Sequence, residues 1–192
     1  MKLQAKQYCS DDSNYGKYCE TQIERHAKKK GKRRQIEHYQ KCADVLGRFV
    51  EARSQMVCLG TRNNHERDVF TRELSSKQVK VFSLDIAPDS DADFVMDFNR
   101  FNGNWEGKWD IVFSNSIDHA IDATEVFEEW VKIVRCGGYL MLGFNVGDMD
   151  ISGSDCNAFE DEQVVAFFRQ REDVQLLTDV ENGYKYYLLR RI

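Results

Sequence analysis

Two residues of this chain, Gly60 and Asp85, have the types and spacing needed to bind a nucleoside cofactor. Gly60 ends an apolar run, MVCLG, and Asp85 ends another, VKVFSLD, 25 positions later. A glycine at the end of a strand lets a ligand approach the backbone closely. A carboxylate at the end of the next strand can accept hydrogen bonds from both hydroxyls of a ribose. The order of strand, glycine turn, helix start and acidic strand end therefore predicts a nucleoside-binding crevice.

Strands and helices alternate along the chain after the first 55 residues. Helices are predicted after Asn64, from Thr124 with Gly137 as a left-handed cap, and around 160–171. This alternation predicts an α/β fold with a mostly parallel sheet and helices on both faces, and ligands bind such sheets at the carboxyl ends of the strands. The predicted strands are 56–60, 79–85, 92–98, 110–116 and 139–144, followed by a hairpin formed by DVQLLTDV and YKYYLLRR.

The connection between the second and third predicted strands is short. Only seven residues separate Asp85 from Asp93, which is too few for a crossover helix. An extended link of that length nevertheless spans about 23 Å, at about 3.3 Å per residue, and this is enough to return along a short strand. We therefore expect two parallel neighbours with one helix of the alternation missing.

The first 55 residues differ from the rest in pattern and in charge. From about Tyr15 to Arg53 the sequence has helical periodicity, with apolar residues three and four apart on one face. Residues 1–55 contain 13 lysines and arginines against 7 aspartates and glutamates, whereas residues 56–192 contain 14 against 25. We predict a helical N-terminal leader or cap at 1–55 and a main domain at 56–192.

The leader contains a basic run, KKKGKRR, from Lys28 to Arg34. Such a run can bind phosphate or nucleic acid, but it is more commonly a solvated helix face. The acidic main domain and a sequence pI of about 5.5 disfavour wide coverage of a polyanion. A nucleic-acid partner is therefore left open, and a small-molecule partner is preferred.

Cysteine usage and hydropathy bear on the compartment. The six cysteines include no C-x-x-C pair, and several lie in apolar or helical contexts, which is typical of free thiols in a reducing compartment. No apolar run approaches the ~18 residues of a membrane helix. The acidic cluster DSDAD at 89–93 is more typical of a surface turn than of a metal site. We expect a cytoplasmic protein with no membrane partner and no bound metal.

Five segments resemble those of class I S-adenosylmethionine-dependent methyltransferases, and the resemblance covers roughly residues 56–192. They are VCLGTRNNHE, FSLDIAP, ADFVMDFN, DIVFSNSIDHAID and VKIVRCGGYLMLGF. The resemblance implies a Rossmann-like, seven-stranded, mostly parallel sheet that ends in an antiparallel hairpin. The chain departs from the family's first motif where Cys58 replaces an acidic residue and where Arg62 and Asn64 replace glycines. Asparagine tolerates a left-handed backbone, so the turn can still form.

The resemblance implies S-adenosylmethionine as the cofactor, with its methionine portion at the first turn. Gly60 and its neighbour Thr61 would lie against this portion. Arg62 would hold the carboxylate, aided by amides at the helix N-terminus. Glu66 would contact the ammonium group or fix the loop, and a favourable position in the helix dipole explains it equally well.

The nucleoside portion is assigned to the next two strand ends. Asp85 and its neighbour Ile86 would bind the ribose, with a strand-end turn cap as the alternative role of the carboxylate. Asp97 and Phe98 resemble the pair that contacts adenine, in which the acid accepts the exocyclic amine and the following amide faces the ring. The methyl group would lie near the segment after the fourth strand, which comprises Ser114, Asn115 and Ser116.

Asp118 and His119 follow that segment and are the candidate catalytic residues. A histidine can remove a proton from an acceptor hydroxyl or amine near neutral pH, although a histidine at a helix start often has a structural role. Methyl transfer from a sulfonium depends mainly on alignment, and positioning alone can supply ~7–11 kcal/mol of the barrier. Such an enzyme does not require an obvious base.

The sequence thus predicts transfer of a methyl group to an oxygen or nitrogen atom of a small molecule or sugar. The leader and the loop at 145–158 are predicted to select the acceptor. Two other classes stay open. A non-catalytic module would keep the fold and perhaps the cofactor site, and the eroded glycine motif favours it. A nicotinamide-dependent oxidoreductase would need the fuller G-x-G-x-x-G turn, which this chain lacks.

Overall fold

The computed structural model describes residues 3, 6–7, 15–29, 36–101, 103–144, 157–181 and 185–192 of the chain. The described residues form five α-helices: α1 (Tyr15–Lys29), α2 (Ile36–Leu46), α3 (His65–Glu73), α4 (Ala123–Ile133) and α5 (Asp161–Arg169). They also form nine strands: β1 (Lys6–Gln7), β2 (Gln55–Leu59), β3 (Lys80–Asp85), β4 (Phe94–Val95), β5 (Trp109–Ser114), β6 (Val134–Phe144), β7 (Asn157–Ala158), β8 (Val174–Glu181) and β9 (Lys185–Arg191).

Seven of the strands form one sheet in the order β4-β3-β2-β5-β6-β9-β8. The strands from β4 to β6 are parallel, whereas β9 is antiparallel to β6 and β8 is antiparallel to β9. This confirms the predicted fold class, a mostly parallel, Rossmann-like α/β sheet with a terminal antiparallel hairpin. Asn182 and Gly183 of the predicted hairpin turn lie outside the described residues.

Each face of the sheet buries one hydrophobic core. Alternate residues of β2 divide between the two cores, with Val57 and Leu59 on one side and Met56 and Cys58 on the other. Side chains of α4 and α5 cover the first core, and side chains of α2 and α3 cover the second. The central strands are therefore buried on both faces, which explains their continuous apolar runs in the sequence.

The two helices of the predicted leader are attached differently. Tyr39, Cys42 and Leu46 of α2 are fully buried in the second core, against the sheet. In α1, by contrast, the buried side chains among residues 15–28 are Tyr18 and His26. The division of the chain near residue 55 stays a prediction, and most of the basic run lies outside the described residues.

The link between β3 and β4 has no helix, as predicted, and the two strands are parallel, with Leu84 opposite Phe94. The strand predicted at 92–98 is shorter than expected, because β4 comprises only two residues. The carboxylate of Asp93 accepts hydrogen bonds from the backbone N–H and the hydroxyl of Ser83 at 2.8 and 2.9 Å. Just before β4, the Asp93 side chain thus makes the contact with β3 that backbone hydrogen bonds make elsewhere in the sheet.

The prediction that Gly137 caps a helix is wrong. The α4 helix ends at Ile133 and β6 follows directly. Gly137 has a φ of 76°, but it lies within β6. Trp109 of β5 pairs with Val134 of β6, but Ile111 pairs with Tyr139, so the register shifts between them. The left-handed conformation of Gly137 lies in this irregular part of the strand.

A second, two-stranded sheet was not predicted. Its antiparallel strands β1 and β7 pair Lys6 with Ala158 and Gln7 with Asn157. The backbone N–H of Leu3, whose side chain is buried, donates to the hydroxyl of Thr124 at 2.9 Å. The N-terminal segment is thus joined to the end of the predicted acceptor loop, of which residues 145–156 lie outside the described part.

Three further observations concern the cysteines, membrane spans and metal sites. The cysteines that the structure describes, Cys19, Cys42, Cys58 and Cys136, are free thiols. None of the described helices combines the length and apolar character needed to cross a membrane. Among the described residues, no group of His, Cys, Asp and Glu is arranged to hold a metal ion.

Candidate functional site

Gly60 forms the floor of the candidate site at the carboxyl end of β2. Its φ is 76°, in the left-handed region that favours glycine. A Cβ atom at this position would lie 2.9 Å from Oγ of Ser116 and 3.3 Å from the ring of Phe98. A side chain here would therefore fill the space where a ligand can approach the backbone.

The turn after Gly60 keeps its left-handed geometry without further glycines. Arg62 has a φ of 44° and Asn64 a φ of 56°. Asn64 stands at the N-cap position of α3, as predicted, but its side chain does not cap the helix. Its Oδ1 accepts a hydrogen bond from the hydroxyl of Thr61 at 3.1 Å, and its Nδ2 donates to the carbonyl oxygen of Asp91 at 2.6 Å. These hydrogen bonds of the Asn64 side chain hold the left-handed turn in place without the glycines that are usual at such a turn.

Asp85, at the end of β3, is 6% exposed and already engaged by the backbone. Its Oδ2 accepts a hydrogen bond from the N–H of Arg62, and its Oδ1 accepts one from the N–H of Ala87, both at 2.8 Å. Nδ1 of His26, on α1, lies 3.4 Å from the same Oδ1. Because a carboxylate has about four acceptor positions, the two amides leave it able to accept two more donors.

Asp97 and Phe98 follow β4 and also contact the leader. Oδ1 of Asp97 accepts hydrogen bonds from the backbone N–H and the side-chain amide of Asn99, both at 2.9 Å, and Oδ2 accepts one from the hydroxyl of Tyr15. Burial and this contact with Asp97 raise the pKa of the Tyr15 hydroxyl well above its ordinary value, so the hydroxyl stays a donor. The ring of Phe98 packs edge-on against Trp130, with centroids 5.5 Å apart.

Glu66, in the first turn of α3, lies in a buried polar cluster. The hydroxyl of Tyr39 donates to Oε1 of Glu66 at 2.8 Å. The side-chain amide of Asn115, just after β5, donates to the Tyr39 hydroxyl at 3.0 Å and lies 3.4 Å from the same Oε1. The cluster joins α2, α3 and the end of β5, which agrees with the loop-fixing role considered for Glu66.

The segment after β5 divides between the interior and the cleft. The fully buried hydroxyl of Ser114 donates to the carbonyl oxygen of Leu59 and accepts from the N–H of Ser116, both at 3.1 Å. Ser114 therefore supports the turn from beneath, and Ser116 faces the cleft. Nε2 of His119 lies 4.0 Å from Oδ1 of Asp118, beyond hydrogen-bonding distance, and both side chains are largely buried.

Two adjoining cavities at the carboxyl ends of the parallel strands share Gly60, Arg62, Ser116 and His119. The first, called the nucleoside-side cavity because it contains the residues predicted to bind the nucleoside, offers about 50 Å³ of space that water can enter. The second, called the methionine-side cavity because it contains residues predicted to bind the methionine portion, offers about 30 Å³. Together they contain all the predicted site residues except Ser114 and Asp118. The first also contains Asp85, Ile86, Asp97 and Phe98, and the second also contains Thr61, Glu66 and Asn115.

Four cavity residues from the leader were not predicted as part of the site. Tyr18, Gln22 and His26 of α1 line the nucleoside-side cavity, and Tyr39 of α2 lines the methionine-side cavity. The three α1 residues recur every four positions and so share one helix face. That spacing was a visible signal, although nothing local in the sequence indicates which surface the face covers.

A larger groove of about 620 Å³ lies between α5 and β8, where Phe168, Arg171 and Leu176 line it. It contains none of the predicted site residues and lies at the sheet edge formed by the antiparallel hairpin. Ligands of such sheets bind at the carboxyl ends of the parallel strands, so position rather than volume identifies the functional cleft.

Comparison with solved structures gives matches over most of the chain. A 1,6-didemethyltoxoflavin-N1-methyltransferase from Burkholderia thailandensis, solved with 1,6-didemethyltoxoflavin and S-adenosylhomocysteine, has a TM-score of 0.71 and 10% identity, and the match covers 95% of this chain and 91% of that one. A Haloferax volcanii protein solved in complex with Trm112, a methyltransferase activator, has a TM-score of 0.65 and 15% identity, over 91% and 97%. The cyclase SpnF has a TM-score of 0.60 and 9% identity, over 79% and 80%.

No protein-family model and no curated protein sequence matches the chain. At identities of 15% or less, the structural matches show the fold and leave the activity to be argued from the site. The fold is that of the class I methyltransferases, as the sequence predicted.

Proposed function

We propose that this protein is an S-adenosylmethionine-dependent methyltransferase that transfers a methyl group to an oxygen or nitrogen atom of a small molecule or a sugar. The observation that carries this proposal is the convergence of Gly60, Asp85 and Asp97 on one cleft. They place a bare backbone and two carboxylates at the ends of three adjacent parallel strands. A nucleoside needs these groups at this edge of a sheet.

The residues present suit the donor. Asp85 keeps two acceptor positions beyond its backbone contacts, and a ribose diol has two hydroxyl donors to fill them. The Cβ that Gly60 lacks would occupy the space needed beside Ser116 and Phe98. Arg62 lines both cavities, so it is the candidate to bind the carboxylate of the methionine portion.

S-adenosylmethionine, when bound, supplies an activated methyl group. The chain's own contribution is to hold the donor and acceptor in line and to keep water away. His119 lies where the two cavities meet, so it is the candidate to hold the proton released by an acceptor hydroxyl or amine. Asp118, the other candidate catalytic residue, lines neither cavity, and its Oδ1 lies 4.0 Å from Nε2 of His119.

A small-molecule acceptor is favoured over a macromolecule. The Burkholderia thailandensis structure, whose bound acceptor is a small molecule, matches this fold over 95% of the chain. The short sheet β1–β7 brings the predicted acceptor-selecting segments together beside the residues that follow β5, because Asn157 donates to the carbonyl oxygen of Ala120 at 2.5 Å. This arrangement supports a compact acceptor site.

The second candidate function is a module that keeps the fold but does not transfer methyl groups. Two observations support this candidate. Side chains of α1 line the nucleoside side of the cleft. The fold also resembles that of SpnF, which is a cyclase. The same fold therefore hosts other chemistry, and the two candidates differ in turnover rather than in architecture.

Calorimetry and a transfer assay separate the candidates. We expect the full chain to bind S-adenosylmethionine and S-adenosylhomocysteine but not NAD, and to move labelled methyl groups onto small molecules of a cell extract. Binding of NAD alone would refute the methyltransferase proposal. Binding of the donor without any transfer of label, under conditions where a known methyltransferase labels the extract, would favour the module.

A further inference from the structure

Three side chains of one helix approach three residues assigned to the cofactor or to the acceptor. Nδ1 of His26 lies 3.4 Å from Oδ1 of Asp85. The hydroxyl of Tyr15 donates to Oδ2 of Asp97. The hydroxyl of Tyr18 donates at 2.5 Å to the carbonyl oxygen of His119. The contacts of α1 thus fall on the residues expected to hold the ribose, the adenine and the acceptor.

The space left beside α1 is too small for a nucleoside. A hydroxyl that donates to a carboxylate lies about 2.5–3.0 Å from its oxygen, and the His26 ring already stands 3.4 Å from Oδ1 of Asp85. The nucleoside-side cavity offers about 50 Å³ to water, whereas ligand pockets usually measure about 300–1,000 Å³. The ring and the ribose therefore cannot both occupy this position.

The described part of α1 buries few side chains. Its buried side chains among residues 15–28, Tyr18 and His26, both line the cleft. Tyr18 belongs to a small apolar cluster, with Tyr15, Cys19 and Ile121, that is separate from the two main cores. Neither ring nitrogen of the buried His26 makes a hydrogen bond within the described structure, and an unsatisfied buried polar group opposes the docked position.

From these contacts we infer that α1 and the donor compete for the nucleoside side of the cleft, so that the helix leaves this position when S-adenosylmethionine binds. The inference rests on the proposed function, since it takes the cleft to be the donor site. It makes α1 an internal competitor, and the apparent affinity for the donor is reduced by the fraction of molecules in which the helix is docked.

Binding of S-adenosylhomocysteine to full-length variants tests the competition. Tyr15→Phe removes the hydrogen bond from α1 to Asp97, and we expect it to bind this ligand about three- to tenfold more tightly than the wild type, which corresponds to one hydrogen bond. His26→Ala removes the ring that stands beside Asp85, and we expect it also to bind more tightly, because the ribose no longer meets that ring. Glu20→Ala changes an exposed residue of the same helix and should leave the affinity unchanged. A gain in affinity cannot come from partial unfolding, so the sign of the effect is informative. Equal or weaker binding by both variants would overturn the inference.

Hydrogen exchange measured by mass spectrometry follows the helix directly. Saturating S-adenosylhomocysteine should speed exchange across residues 15–29 and slow it around Gly60 and Asp85, if α1 leaves as the ligand enters. Slower exchange across 15–29 would show instead that the helix closes over the ligand, which refutes competition but leaves the proposed function intact. Failure of the wild type and of His26→Ala to bind the ligand at all would refute the proposed function, and the inference with it.

Discussion

The hydroxyl of Tyr39 donates a hydrogen bond to Oε1 of Glu66 at 2.8 Å and thereby joins α2 to the first turn of α3. Both groups are buried, and the amide of Asn115 completes the cluster from the end of β5. A helix of the leader therefore helps to fix the loop that follows Gly60. The cavity that Glu66 lines is therefore built from residues of both the predicted leader and the predicted main domain.

Tyr39→Phe should lower the free energy of unfolding by about 1–3 kcal/mol, because it leaves buried polar partners in Glu66 and Asn115 without the hydroxyl. Urea titration followed by circular dichroism measures the change. Tyr139→Phe, at a half-buried tyrosine of β6, is the matched control and should stay within about 0.5 kcal/mol of the wild type. Equal effects of the two changes would contradict a special role for the cluster.

Asp85→Asn should weaken binding of S-adenosylhomocysteine by at least about tenfold, because hydrogen bonds to a charged acceptor contribute about 1.5–3 kcal/mol. It should also lower the thermal midpoint, since the carboxylate accepts from the N–H groups of Arg62 and Ala87. Calorimetry well below that midpoint separates the two effects.

Asp93→Asn is the control for this measurement. Asp93 lies before the neighbouring strand β4, contacts Ser83, and is not among the cavity residues. Its substitution should leave the affinity for S-adenosylhomocysteine unchanged. Similar losses in the two variants would show that general acidity of this edge, rather than a ribose contact, controls binding.

Gly60→Ala tests the bare backbone against a matched glycine. Gly60 and Gly107 both have positive φ, at 76° and 62°, so alanine at either costs about 1–2 kcal/mol of backbone strain. A Cβ at Gly60 would also lie 2.9 Å from Oγ of Ser116, whereas a Cβ at Gly107 would have no neighbour within 4 Å. Denaturant titration should show a further loss of about 1–3 kcal/mol for Gly60→Ala alone.

The same two glycine variants also test ligand binding. Gly60→Ala should abolish the binding of S-adenosylhomocysteine, and Gly107→Ala should preserve it. Retained affinity in Gly60→Ala would place the ligand elsewhere.

Asp173→Asn should make stability less sensitive to acid. Arg171 donates to both carboxylate oxygens of Asp173 at 2.7 Å, and this pairing lowers the pKa of Asp173 below its ordinary value. A lowered folded-state pKa gives stability that is present above about pH 4 and is lost as the pH falls through the folded value. Because the carboxylate is 43% exposed, solvent screening limits the effect to less than about 1 kcal/mol.

Urea midpoints at pH 6 and pH 3 measure this dependence. The difference between the wild type and Asp173→Asn should shrink at pH 3. Glu172→Gln, at the exposed neighbouring carboxylate, should follow the wild type at both values. A difference that persists at pH 3 would show that packing, rather than charge, accounts for the effect of Asp173.

The sequence was informative wherever function depends on the ends of strands. Gly60 follows a strand that is almost entirely buried, and Asp85 ends a strand that is buried in its second half, so both positions could be predicted from the apolar runs. The missing helix before β4 could be predicted because chain length limits what seven residues can form.

Contacts that depend on how helices pack could not be predicted in this way. The hydrogen bond between Tyr39 and Glu66 joins residues 27 positions apart. His26 approaches Asp85 from a helix whose sequence does not indicate which surface of the protein it covers. The prediction for Gly137 was wrong for a related reason. A left-handed glycine suits either a helix end or an irregular strand, and only the pairing of β6 with β5 distinguishes the two.

The two-residue strands β1 and β7 have a consequence for engineering this protein. Lys6 pairs with Ala158 and Gln7 pairs with Asn157, and the side-chain amide of Asn157 donates a hydrogen bond to the carbonyl oxygen of Ala120. A chimera that imports a new N-terminal segment from another protein, while keeping the native residues after β6, would lose this pairing. The two segments would therefore have to be exchanged together.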